Sequence, residues 1–165
     1  MKTLVVHYSL TGNNKLLTEH VSGILKADTD KITVPGKVTG FTIFLDALLN
    51  RKPALAPPKF DPADYGLVVF IAPVWIGKVA SPLRSYIEKY RSAIKNFAFL
   101  TISGEALGKN EKVPGELARL AGKHPVETRQ LYINDILPDG EKPLLHRDGK
   151  SQHTDQPLPR CGLPK

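Results

Sequence analysis

Cysteine is nearly missing: Cys161 is the only one in 165 residues. No intramolecular disulfide can form, and a reducing, cytoplasmic setting is the expectation. No window approaches the roughly 20 apolar residues needed to cross a bilayer, so membrane insertion is not expected. The opening MKTLVVHYSL has a single lysine, a short apolar run and no small-residue cleavage site, which argues against a signal peptide. Cys and His residues show no zinc spacing, so no metal site is expected. There is no G-x-S-x-G elbow, no G-x-G-x-x-G and no G-x-x-x-x-G-K-[ST], which sets aside a serine hydrolase, a dinucleotide fold of the usual type and an NTPase. Charge of one sign is in excess, at +7. The lysines and arginines are nevertheless scattered among acids, with no basic run or aromatic ladder, so nucleic acid is not an expected partner. An anionic small molecule suits that balance better.

What is present is alternation. Residues 3–8 read as a strand. Residues 14–26 read as a helix burying Leu16, Leu17, Val21, Ile24 and Leu25, and a short strand near Lys31–Val34 follows. GFTIFLDALLN is a second helical pattern, and the prolines of RKPALAPPKFDPADY enforce an extended connection. GLVVFIA is apolar throughout, as a strand covered on both faces should be. SPLRSYIEKY begins a helix, with Ser81 expected as N-cap and Pro82 at the first helical position. FAFLTIS is a fourth strand, NEKVPGELARLAG carries a helix and ETRQLYINDI a fifth strand. Strand alternating with helix implies parallel strands joined by crossovers, hence an open α/β sheet. Ligands on such sheets bind beyond the carboxyl ends of the strands. The chemistry is therefore expected in YSLTGNNK, APVWIGK and SGEALGKN, after the first, third and fourth strands.

YSLTGNNK enters a helix N-terminus, where unpaired N–H groups and the positive end of a dipole favour an anion. Ser9 and Thr11 add hydroxyl donors, Gly12 allows close backbone approach, and Asn13 and Asn14 can donate through their amides. A charged hydrogen bond contributes about 1.5–3 kcal/mol, so several hold a phosphate strongly. The same residues also suit a plain turn leading into a capped helix. In APVWIGK, Trp75 is either a partly buried core residue or a flat surface for stacking on a flat ligand. His7 and His20 read as packed or surface histidines, and Asp61 and Asp64 as turn formers.

Together these segments resemble the flavodoxin family. YSLTGNNK is similar to its phosphate loop, with Asn14 where the family generally has threonine. DYGLVVFIAPVWIGKVASPLRSYI resembles its third strand, aromatic ring loop and following helix, and FAFLTISG its fourth strand and third flavin loop. The resemblance spans residues 1–137. It implies an α/β/α sandwich around a five-stranded parallel sheet in the order 2-1-3-4-5, and FMN as cofactor. Ser9, Thr11, Gly12, Asn13, Asn14 and Lys15 would bind the phosphate. Pro73, Val74, Trp75, Ile76, Gly77 and Lys78 would lie along the isoalloxazine, and Ser103, Gly104 and Glu105 would close its other side.

No side chain is expected to act as a catalyst, since the flavin would perform electron or hydride transfer. The third loop lacks an aromatic stacker, which leaves one ring face open to a hydride donor. Carriers in that family are typically acidic, whereas this chain is basic. An NAD(P)H oxidoreductase acting on a small acceptor such as a quinone is therefore the expected variant, and a redox partner protein the other. The alternative from a different class is a flavin-free binding module with the same fold. Residues 138–165, with five prolines and three glycines in their neighbourhood, read as an extended or disordered tail. The family's terminal helix would then be missing, leaving an apolar face suited to a homodimer.

Overall fold

β-branched residues fit a pleated surface, and uninterrupted runs of them need cover on both sides. The chain places two such runs at the middle of one sheet. The computed structural model describes residues 1–10, 12–36, 51–75, 77–103 and 110–132. Among them β1 (Thr3–His7) pairs in parallel with β2 (Asp28–Lys31) on one side and with β3 (Leu67–Ile71) on the other. A small hairpin of β4 (Val74–Trp75) and β5 (Lys78–Val79) follows, forming a separate antiparallel pair that the sequence did not announce. β6 (Phe97–Ser103) pairs in parallel with β3, and β7 (Glu127–Tyr132) with β6. The sheet order β2-β1-β3-β6-β7 is the expected 2-1-3-4-5.

Alternate side chains go to opposite faces of this sheet. Val6, Phe70 and Phe99 share one buried cluster with Leu83 and Ile87 of α2 (Ser81–Tyr90) and Leu117 of α3 (Val113–Ala121). Val5, Val69 and Ala98 share the other with Leu17 of α1 (Asn13–Leu25). Helices on both faces make the three expected layers. Among the described residues no helix is long and apolar enough to cross a membrane.

Several boundaries depart from expectation. β2 comprises Asp28–Lys31 rather than 31–34. Its acids gain tertiary partners: Asp30 Oδ2 accepts from the Lys59 amide at 2.8 Å, and Asp28 Oδ2 accepts from the Tyr65 hydroxyl at 2.8 Å. Those bonds outweigh weak strand propensity. Ala80, not Ser81, caps α2, because the Leu83 and Arg84 amides both donate to the Ala80 carbonyl and Ser81 is already helical. In α1, Ile24 and Leu25 are exposed, 68% and 45%. Asp61 does form the expected turn, its Oδ1 accepting from the Ala63 amide. The helical pattern at 40–50, the end of the fifth strand after Tyr132 and the segment 138–165 lie outside the described residues.

Candidate functional site

β1 ends at His7, and the next residue turns away from the α1 face. Tyr8 is buried, its amide donating to the Ile71 carbonyl at 2.9 Å, which keeps β1 and β3 paired to their carboxyl ends. Ser9 Oγ then accepts from the Gly12 amide at 3.1 Å and closes the loop. Gly12 sits at φ +99°, a backbone conformation that glycine adopts without a Cβ penalty. Its carbonyl accepts from both the Lys15 and Leu16 amides, which starts α1. The amides of Asn13 and Asn14 have no acceptor among the described residues, and they stand at the positive end of α1.

The two asparagine side chains differ. Asn14 is buried, and its Oδ1 accepts from the Ile102 amide at 3.3 Å, tying the first loop to the end of β6. Asn13 is also buried, and among the described residues its Oδ1 has no partner. Oxygen and nitrogen of an amide occupy nearly the same shape, so a half-turn of this side chain exchanges an orphaned acceptor for a donor. Such a donor suits an anion at the helix start. Lys15 lies on the surface with its ammonium 3.6 Å from Glu19, one turn along α1.

The second loop is the hairpin. Val74 pairs with Val79 and Trp75 with Lys78, and Gly77 makes the turn at φ +71°. The Pro73 carbonyl accepts from the Ala80 amide at 3.0 Å and closes the base. Trp75 is half-buried: it rests on the core and meets Tyr8 edge to face, ring centres 5.9 Å apart at 82°. That geometry is common for aromatic pairs and fixes the indole before any ligand arrives. The Val79 amide donates to Glu116 Oε2 at 2.9 Å, while Glu116 Oε1 lies 3.2 Å from Arg84 Nε. Ser103 closes β6 opposite Tyr132. Thr11, Ile76, Gly104 and Glu105 lie outside the described residues.

Two contacts therefore join the first loop to the hairpin and to β6, segments distant in sequence: Tyr8 to Trp75, and Asn14 to Ile102. The carboxyl ends of β1, β3 and β6 meet at one edge, as the strand order requires. Sequence reasoning overlooked Tyr8, Glu116 and Arg84. Only the first-turn position of Glu116 in VPGELARLA hinted at a role, since a carboxylate is favoured there. His7 is buried at the end of β1, and among the described residues its Nδ1 has no hydrogen-bond partner. Burial, aided by the Lys31 charge and opposed by the Asp30 backbone, lowers its pKa. His20 lies exposed on α1. Among the described residues no group of three or more His, Cys, Asp or Glu is placed to hold a metal ion.

No family model matches the sequence, and no curated protein does. Solved structures match its shape. A flavoprotein from Lactobacillus acidophilus, crystallised in complex with FMN, superposes with a TM-score of 0.68 at 21% identity, over 78% of this chain and 92% of that one. A protein from Bacteroides eggerthii proposed to be a flavoprotein gives 0.71 at 18% identity, over 82% and 92%. Oxidised flavodoxin 1 from Bacillus cereus gives 0.50 at 13% identity, over 82% and 92%. Likeness at these identities speaks for the fold, and the fold is flavodoxin-like.

Proposed function

We propose that this flavodoxin-like chain binds FMN at the joined ends of β1, β3 and β6 and transfers electrons or hydride through it. The observation that carries the reading is the pair of amides at Asn13 and Asn14. They stand without acceptors among the described residues at the start of α1, beside a loop already linked to Trp75 and to β6. The FMN-bound structural neighbour supports the same choice of ligand.

When bound, the flavin supplies the redox chemistry, and the protein binds and orients it. The Asn13 and Asn14 amides donate to the phosphate ester, each such bond contributing about 1.5–3 kcal/mol. Gly12 lets the ester approach the backbone. The hairpin from Pro73 to Lys78 borders the ring, and Gly77 has the freedom to turn a peptide there. The Gly12 N–H already donates to Ser9 Oγ, so the phosphate depends on the remaining donors.

The donor and acceptor follow from charge. One unit charge about 10 Å away, at an effective dielectric of about 40, is worth roughly 0.8 kcal/mol before screening. Several net positive charges near the ring, out of a chain total of +7, would therefore favour a reduced, anionic flavin and raise its potential. An anionic nicotinamide donor and a small acceptor such as a quinone fit that bias, in a reducing cytoplasmic compartment. Titration with FMN tests the reading: flavin fluorescence quenches and the protein turns yellow. NADPH oxidation that accelerates with a quinone then separates a reductase from a carrier. A colourless protein that leaves FMN fluorescence unchanged replaces this reading with a flavin-free binding module.

A further inference from the structure

A hairpin with two residues in each strand does not hold its own shape. The pairs Val74–Val79 and Trp75–Lys78 are the whole of it, so what fixes this one comes from outside. On one side Trp75 rests against Tyr8. On the other, the Val79 amide donates out of the hairpin to Glu116 Oε2 at 2.9 Å. The second oxygen of that carboxylate lies 3.2 Å from Arg84 Nε, and the side chains of Arg84 and Glu116 are only 7% and 12% exposed. One carboxylate thus joins three elements: β5, α2 and the first turn of α3. Hydrogen bonds to an ionised acceptor are about twice as strong as neutral ones, and shielding from water preserves them.

An ion pair serving only to join two helices needs no backbone amide from a third element. We propose that Glu116 is a positioning residue: by holding the Val79 amide it sets where the hairpin places Trp75 and Gly77 against the flavin ring. The role rests on the FMN reading above. The Glu116 carboxylate reaches the hairpin by accepting from the Val79 amide. The effect on the ring is carried through Val79, because Glu116 lies on α3 and accepts from that hairpin amide.

Trp75 is the only tryptophan in the chain, so its emission reports the hairpin without any flavin. The experiment compares Glu116→Ala with Arg84→Met, by Trp75 emission, thermal melting and FMN titration. Both variants lose the ion pair and melt earlier. Glu116→Ala also shifts Trp75 emission to the red and weakens FMN binding about tenfold or more, about 1.4 kcal/mol per tenfold. Arg84→Met, which keeps the acceptor for Val79, leaves the emission unchanged and FMN affinity within about threefold. Glu116→Ala with native emission and affinity overturns the proposal, as does an Arg84→Met that matches Glu116→Ala in both. Should either variant fail to fold, amide exchange in the unaltered protein decides. The Val79 amide is expected to exchange at least about a hundredfold slower than an unprotected one, and exchange at the unprotected rate overturns the tether. If the unaltered protein takes up no FMN, the flavin reading fails, while emission and exchange still decide whether Glu116 holds the hairpin.

Discussion

Against α2 and α3 the sheet sets Phe70, Phe97 and Phe99 among Leu83, Ile87 and Leu117. Against α1 it offers Val5, Val69, Ala98 and Ile102 to Leu17, and the helix buries Asn13, Asn14 and Thr18 there as well. A buried phenylalanine removes about 150–250 Å² from water, several times what an alanine side chain can. The first face therefore supplies most of the hydrophobic stabilisation. The second accepts polar side chains whose partners are hydrogen bonds, such as Thr18 Oγ1 to the Asn14 carbonyl at 2.7 Å. The difference teaches that the site leans on both faces for different reasons. The hairpin at Trp75 packs on the aromatic core, whereas the start of α1 belongs to a more polar layer.

The comparison can be broken at its strongest point first. Phe99→Ala is expected to lower stability by about 3–5 kcal/mol in chemical denaturation, and Leu17→Ala by about 2–3 kcal/mol. Equal losses would erase the asymmetry. Next comes Asn14→Ala, which leaves the buried Ile102 amide without its acceptor and should lose about 1–3 kcal/mol. FMN affinity should fall with it, because the first loop is released from β6.

His7 gives a smaller, pH-dependent effect. Its folded pKa lies below the ordinary histidine value of 6.5, so the unfolded chain binds a proton more readily. Its contribution is therefore complete above that ordinary value and is lost as pH falls below it, toward the folded pKa. Melting temperatures followed from about pH 8 to about pH 5 should decline less steeply in His7→Gln than in the parent. An unchanged slope would remove His7 from the account of the polar face. The smallest effect belongs to Ile24→Ser, on the exposed last turn of α1, expected within about 0.5 kcal/mol of the parent. A loss of about 2 kcal/mol instead would mean that this turn is covered and the α1 face is more substantial than Leu17 and its neighbours suggest.

Strands β1, β3 and β6 were legible because burial on both faces leaves an unbroken apolar signature, and from their alternation with helices the parallel sheet followed. β2 was misplaced because its acids are satisfied by Lys59, Phe60 and Tyr65, residues 29–37 positions away that no local window contains. Ser81 was assigned to the cap because its side chain suits that position, yet the ladder starts from the Ala80 carbonyl. The β4–β5 hairpin escaped notice because two residues per strand carry no periodicity. In the site, the backbone at Gly12–Asn14 could be read from loop chemistry. The bond from Asn14 to Ile102 spans 88 positions, and the one from Val79 to Glu116 spans 37, so both had to wait for the fold.

The outermost strands carry a consequence for self-association. β2 reads DTDK and β7 reads ETRQLY, so among the described residues the two outermost strands carry the charges of Asp28, Lys31, Glu127 and Arg129. A strand from another copy would have to desolvate those charges to add itself to either rim, and charged rims are how proteins discourage such growth into aggregates. Charge on both outermost strands therefore works against extension of the sheet from molecule to molecule.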